Sequence, residues 1–177
     1  PGQRIQVDVK FVPSVCLKNC EVAGQKFYQY TAIDEYSRWR FVEAFEEHST
    51  YSSAMFVEHL VKAFPLPIKC IQTDNGPEFT NRFTTHRDKP TLFQVHLEQH
   101  GIRHKVIRPF TPRHNGKVER SHRKDNERFY ATHTFYSLED FSKQLKVYNR
   151  KDYNNFPMRP LGWKTPSQVL RDYLTSV

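Results

Sequence analysis

The run Ile5-Gln6-Val7-Asp8-Val9-Lys10-Phe11 decides how this chain is read. Ile5, Val7, Val9 and Phe11 alternate with Gln6, Asp8 and Lys10, the period of a β-strand with one apolar face. Asp fits a pleated, half-buried surface poorly, so Asp8 in mid-strand asks for a reason. Taken alone, it is a solvent-facing strand residue. Downstream, Pro13, Asn19 and Gly24 mark Val12 to Gly24 as a turn or irregular hairpin. Lys26 to Asp34, rich in Phe27, Tyr28, Tyr30, Thr31 and Ile33, reads as a second strand, and Arg40 to Phe45 as a third after a Ser37-Arg38 turn. Strands so closely spaced predict an antiparallel meander.

Helical spacing begins after Ser49 or Thr50, either of which can cap a helix. Its stripe is Ala54, Val57, Leu60, Val61 and Phe64, and Pro65 and Pro67 end it. Lys69 to Thr73 predicts a short strand with a sharp turn, Asp74-Asn75-Gly76-Pro77, at its C-terminal end. Thr91 to His100 reads as a helix closed by Gly101, Ile102 to Ile107 as a fifth strand, and Arg108 to His114, with Pro109 and Pro112, as a loop. Asn115 can cap a helix running to about Phe129, and Ser137 opens a capping box for a last long helix with the stripe Leu138, Phe141, Leu145 and Tyr148. From Asn154 onward, Pro157, Pro160 and Pro166 predict a tail wrapping the surface. The order predicts an α/β protein: a mixed five-stranded sheet, three antiparallel strands then two parallel, with helices on both faces.

The length of 177 residues suits one domain spanning 1–177, and 37% hydrophobic with 14% aromatic residues is too rich in core formers for a disordered chain. No apolar run approaches the roughly 20 residues of a membrane helix, and no secretory signal opens the chain, so no membrane partner is expected. A formal net charge of +8 favours a polyanion as partner. Cys16, Cys20 and Cys70 cannot form a disulfide framework, which predicts a reducing, cytoplasmic setting. Cys16 and Cys20 with His96, His100 and His104 would make a zinc site only by joining distant pairs, so a helix face or chain turn is the simpler reading of those histidines. The start at Pro1 predicts an excised fragment or processed piece.

Three acids stand in places that invite chemistry. Asp8 is in mid-strand, Asp74 ends the fourth strand where α/β proteins place ligands, and Glu119 sits one turn into a helix. Singly, Asp74 belongs to a common turn and Glu119 to a helix start that the dipole favours. Converging at one sheet edge, they would repel one another unless hard divalent cations neutralised them, Mg²⁺ by preference and Mn²⁺ by tolerance.

The words around these acids make the set specific. They are Gln72-Thr73-Asp74-Asn75-Gly76-Pro77-Glu78-Phe79, the run Arg108-Pro109-Phe110-Thr111-Pro112-Arg113-His114-Asn115-Gly116-Lys117-Val118-Glu119-Arg120, and Pro160-Leu161-Gly162-Trp163-Lys164-Thr165-Pro166. Together they resemble the catalytic core of DDE-type insertion-sequence transposases, kin of retroviral integrases, over essentially the whole chain. The resemblance implies an RNase H-like fold and a triad at Asp8, Asp74 and Glu119 that holds two Mg²⁺ or Mn²⁺ ions. It implies two-metal DNA cleavage and strand transfer, bacterial DNA with its element ends and target as partners, and a homo-oligomer in the active complex. Between Asp74 and Glu119 stand 44 residues, more than the family usually leaves, which points to a surface insertion around 84–90. Asp125 and Glu127 are rival third acids, but neither follows Asn115-Gly116.

From Gly116 to Arg128, Val118 is the sole apolar side chain, while Lys117, Arg120, Arg123, Lys124 and Arg128 are basic. A helix this polar is either a solvated surface helix or one that lies against phosphates. Arg123, four residues after Glu119, shares its face and is the first candidate for a phosphate contact. Lys117, Arg120, Lys124 and Asn115 are further candidates. Two rival functions remain in view: an RNase H-like nuclease that only hydrolyses, and a non-catalytic basic module that binds nucleic acid. Intact acids argue against the second, because a pure binder gains nothing from carboxylates facing phosphates.

Overall fold

The computed structural model describes residues 1–17, 24–108 and 115–176. Strands β1 (Ile5–Phe11), β2 (Tyr28–Asp34), β3 (Arg40–Phe45), β4 (Cys70–Thr73) and β5 (Arg103–Val106) form one sheet in the order β3-β2-β1-β4-β5. β1 and β2 are antiparallel, as are β2 and β3, whereas β4 runs parallel to both β1 and β5. This is the predicted mixed sheet.

α1 (Thr50–Ala63) and α2 (Leu92–Gln99) cover one face. Ile5, Val7, Tyr30, Ala32, Phe56, Val57, Leu60, Ile71 and Phe93 interlock there in the larger core. Ser49 caps α1 through its hydroxyl, and Thr91 and Gln94 form a reciprocal capping box on α2. α3 (Gly116–Asp125) and α4 (Leu138–Tyr148) cover the other face over a second core of Phe27, Val42, Phe129, Tyr130, Phe135, Phe141, Leu145 and Tyr148. Both helices widen into π-helical turns, at Asn126–Tyr130 and Asn149–Asn154.

The two ends of β1's alternation meet different partners. Ile5 and Val7 enter the larger core and Val9 packs against it, while the polar residues face α3. Gln6 Oε1 accepts from the backbone N–H of Lys117 and Val118, Asp8 lies beside His122, and Lys10 Nζ donates to Asn126 Oδ1. Steps of two along the strand, about 6.6 Å, match steps of four along the helix, about 6 Å. A polar strand face therefore receives a polar helix, which explains why α3 needs so little apolar surface. Val118, its one apolar residue, packs with Ile33 and Tyr153.

A buried ion pair ties this layer down. Arg40 on β3 and Asp125 at the end of α3 are both fully buried and 2.8 Å apart. Asn149 accepts from Arg40 Nε, and the Tyr153 ring stacks 3.8 Å from the guanidinium.

Two expectations need correction. Asn115 makes no side-chain cap on α3; Gln6 reaches across from β1 and takes the first free N–H groups, because the helix docks on the polar strand face. Nor is the tail from Asn154 merely a surface wrap. Thr165 and Gln168 cap a further helix, α5 (Pro166–Ser176), and Leu170 inserts into the larger core. The segment around 84–90, where an insertion is expected, lies in consecutive turns and bends spanning residues 82–89, without helix or strand. The expected loop at 108–114 lies, from 109 on, outside the described residues, as does Cys20. Among the described residues no helix is long and apolar enough to cross a membrane.

Candidate active site

Asp8 sits in the middle of β1, paired in register with Thr31, and its side chain is 20% exposed. Its Oδ1 accepts from the Val9 N–H at 2.9 Å, and its Oδ2 lies 3.5 Å from His122 Nδ1. The parallel register Gln6 to Gln72 carries Asp74, just past the end of β4, to the level of Asp8. Asp74 is held by its own turn: Oδ1 accepts from Gly76 N–H at 2.9 Å, and Thr73 Oγ1 donates to the Asp74 carbonyl at 2.8 Å. Asn75 Nδ2 anchors the turn on the Ile107 carbonyl at 2.9 Å.

Glu119 projects from the first turn of α3. It is exposed, and among the described residues it makes no hydrogen bond or ion pair. It nonetheless acts on Asp8. Burial, and then repulsion from Asp74, Glu119 and Glu78, raise the Asp8 carboxyl from an ordinary 3.8 to about 7. Four carboxylates thus share one end of the sheet in a chain whose overall charge is positive. Their hard oxygen donors and mutual repulsion suit a divalent cation. No group of three or more His, Cys, Asp or Glu side chains is already gathered as a metal cage among the described residues.

His122 does not neutralise this charge. Burial, with Arg40 and Lys10 nearby, pushes its imidazole down to about 3, so at neutral pH it is an uncharged neighbour of Asp8, with Nε2 3.0 Å from Thr31 Oγ1. Of the rival third acids, Asp125 is consumed by its pair with Arg40 and by Gln29, which donates to it at 2.8 Å. Glu127 is exposed.

The mixed sheet in the order β3-β2-β1-β4-β5, with helices on both faces, is the fold that the sequence words implied. Models of the integrase core domain match residues 1–112 and 100–166. The chain belongs to the integrase core domain family. Among its relatives is the ORF3 product of Spiroplasma virus SpV1-C74, whose name proposes an integrase and which is 29% identical over 94% of this chain. Another is the uncharacterized 39.2 kDa protein of insertion element IS476 from Xanthomonas euvesicatoria, 30% identical over 82% of this chain. This integrase core spans 47% and 39% of the lengths of those two proteins. The catalytic core domain of HTLV-2 integrase, solved as a trimeric form in complex with magnesium, superposes with a TM-score of 0.66 at 17% identity, covering 96% of each chain. That likeness establishes the RNase H-like fold.

The basic residues of the integrase core's α3 do not act as one surface. Arg123 is exposed and lies one turn beyond Glu119 on the same face. Lys117, Arg120 and Lys124 line a separate groove. Asn115 is 2% exposed, and its Nδ2 donates to the Val7 carbonyl at 3.3 Å, so it braces β1 against α3.

Two residues escaped sequence reasoning. Gln6 was visible only as a polar strand position, yet it starts α3. Glu78 stands in the Asp74 word, one residue past the turn, with no local signal of its own. It is 5% exposed, with Oε1 2.8 Å from His48 Nε2 and Oε2 buried without a hydrogen-bond partner among the described residues. Its carboxylate packs so closely on Gly76 that a side chain there would displace it.

Proposed function

We propose that residues 1–177 form the catalytic core of a DDE transposase or integrase that cuts DNA and joins its strands. The observation that carries this reading is the parallel register that sets Asp74, just past the end of β4, level with Asp8 in mid-β1, beside the helix α3 that carries Glu119. A structural strand residue would not be placed where three other carboxylates oppose its ionisation.

Asp8, Asp74 and Glu119 are the residues that would hold Mg²⁺ or Mn²⁺, two ions in the active complex. Bound there, the ions would supply the charge that activates an attacking oxygen and stabilises a leaving one. The protein's own part is positional. The Val9 N–H fixes the rotamer of Asp8, and the Asp74 turn fixes the second acid. Glu119, unattached on an exposed helix face, can adjust when substrate arrives. Arg123 beside it presents a cation to a DNA phosphate. The Asn115-to-Arg120 and Pro160-to-Pro166 words favour strand transfer over hydrolysis alone. The trimeric HTLV-2 core supports a working unit of several copies, and element ends and target DNA are the partners this function would require.

The test is an Mn²⁺-dependent nicking and strand-transfer assay on DNA carrying candidate element ends. Asp74→Asn should abolish both activities and leave the folded state intact, since it removes charge without altering packing. Retained activity in this variant would remove Asp74 from the site.

A further inference from the structure

On the side of α3 turned away from Glu119 lies a groove of about 720 Å³. Its walls carry Arg4, Arg38, Lys117, Arg120, Lys124 and Arg159 against one acid, Glu35. Arg4 and Lys117 both lean on that single carboxylate, at 3.6 and 3.7 Å. Arg38, Arg120, Lys124 and Arg159 have no ion-pair partner among the described residues. Arg38 Nη1 is buried there without a hydrogen-bond acceptor. Cations this crowded and this poorly partnered favour an anionic ligand with several charges.

The backbone points to the same place. Among the described residues only two non-glycine residues have left-handed backbone, Arg38 (φ 63°) and Trp163 (φ 65°), and both line this groove. Such conformations are strained for non-glycine residues and persist only where surrounding structure enforces them, most often at active sites, ligand clamps and switch regions. The enforcement is visible. Asp34 Oδ2 accepts from Ser37 N–H and Oγ, which fixes the turn before Arg38, and the Trp163 N–H donates to the Met158 carbonyl at 3.0 Å. Trp163 is 70% exposed, an indole face standing open beside the cations.

We propose that this groove is a second nucleic-acid site, one that holds a single strand of DNA with its phosphates on the cations and an unpaired base on Trp163. A phosphodiester strand matches the several unpaired cations, and an exposed indole offers a stacking face that the paired bases inside a duplex cannot use. The inference is independent of the chemistry proposed at Glu119, because no groove residue belongs to the acidic cluster.

Binding is measured without metal, in EDTA, by anisotropy of a short fluorescein-labelled single-stranded oligonucleotide across a salt series. The double variant Arg120→Ala/Arg159→Ala should lower the salt slope by about 1.4, two contacts at about 0.7 each. Trp163→Ala should weaken binding about 5- to 150-fold, the loss of one stacked base, and remove the quenching of tryptophan fluorescence by the oligonucleotide. Trp163→Phe keeps a stacking face and should restore most of the affinity, which separates stacking from damage to the fold. Because binding is read in EDTA with no cleavage step, a failure of the catalytic reading leaves this result untouched. Wild-type affinity and slope in the Arg120/Arg159 and Trp163 variants, or losses confined to duplex DNA, would overturn the proposal.

Discussion

The side-chain oxygen of Gln6 accepts the backbone N–H of Lys117 at 3.1 Å, and that of Val118 at 3.3 Å. Through this contact a residue two places before Asp8 sets where the helix of Glu119 begins. Gln6 Nε2 is in turn held by Glu35 at 2.6 Å. Gln6→Ala leaves two helix-start N–H groups without their acceptor and should cost about 1 kcal/mol of stability, the loss typical of a helix cap. A shifted denaturant midpoint with an unchanged slope would show it. An unchanged midpoint would mean that solvent replaces the bond.

Asp8 should make the metal-free protein pH-sensitive. Its carboxyl binds a proton more tightly folded than unfolded, so the folded state is favoured below pH 3.8 and loses that advantage as pH rises to about 7. The slope is at most about 1.4 kcal/mol per pH unit across that window. In EDTA, Asp8→Asn should flatten the fall and melt higher than wild type at pH 8. Added Mg²⁺ should raise the melting temperature of wild type and leave the variant nearly unchanged. Equal responses would return Asp8 to a plain strand role.

His104 works with the opposite sign. Burial lowers its imidazole to about 4, while Nε2 sits 2.9 Å from Thr73 Oγ1 beside the Asp74 turn. Its neutral form is favoured by folding, so stability is intact above pH 6.5 and drains away as pH falls toward 4. His104→Gln, which cannot protonate, should remove part of that acid limb in equilibrium unfolding measured from pH 7 to 4.

Arg40 and Asp125 should be far more costly to separate than to replace. Arg40→Met strands a buried carboxylate and should destabilise by about 3–5 kcal/mol. The double variant Arg40→Met/Asp125→Leu should recover most of that loss, because neither charge then remains buried. Chemical denaturation of the single and double variants completes the cycle.

Arg123 tests the phosphate contact beside Glu119. Arg123→Ala should weaken duplex binding alike across sequences and reduce the salt slope by about 0.9. An unchanged slope would place Arg123 on a solvated face.

The strands of this protein were legible in the chain because period-two alternation is a local property. The bounds of β1 and β3 follow Ile5–Phe11 and Arg40–Phe45 directly. The acids were legible through their flanking words, Asp74 in a turn after β4 and Glu119 at a helix start. Three things depended on which surfaces meet in space. Gln6 takes the capping role expected of Asn115 because α3 docks on the polar face of β1, and a partner 111 residues away cannot be read from local pattern. Glu78 became a buried neighbour of Asp8 only once the Asp74 turn folded back onto the sheet. The basic residues of α3 divided into two groups because residues 119 and 123 lie on one side of the helix and 117 and 124 on another, and only packing decides what each side faces. Local periodicity specifies which residues share a face. The burial of that face, and the charges that gather behind it, come from the assembled layers.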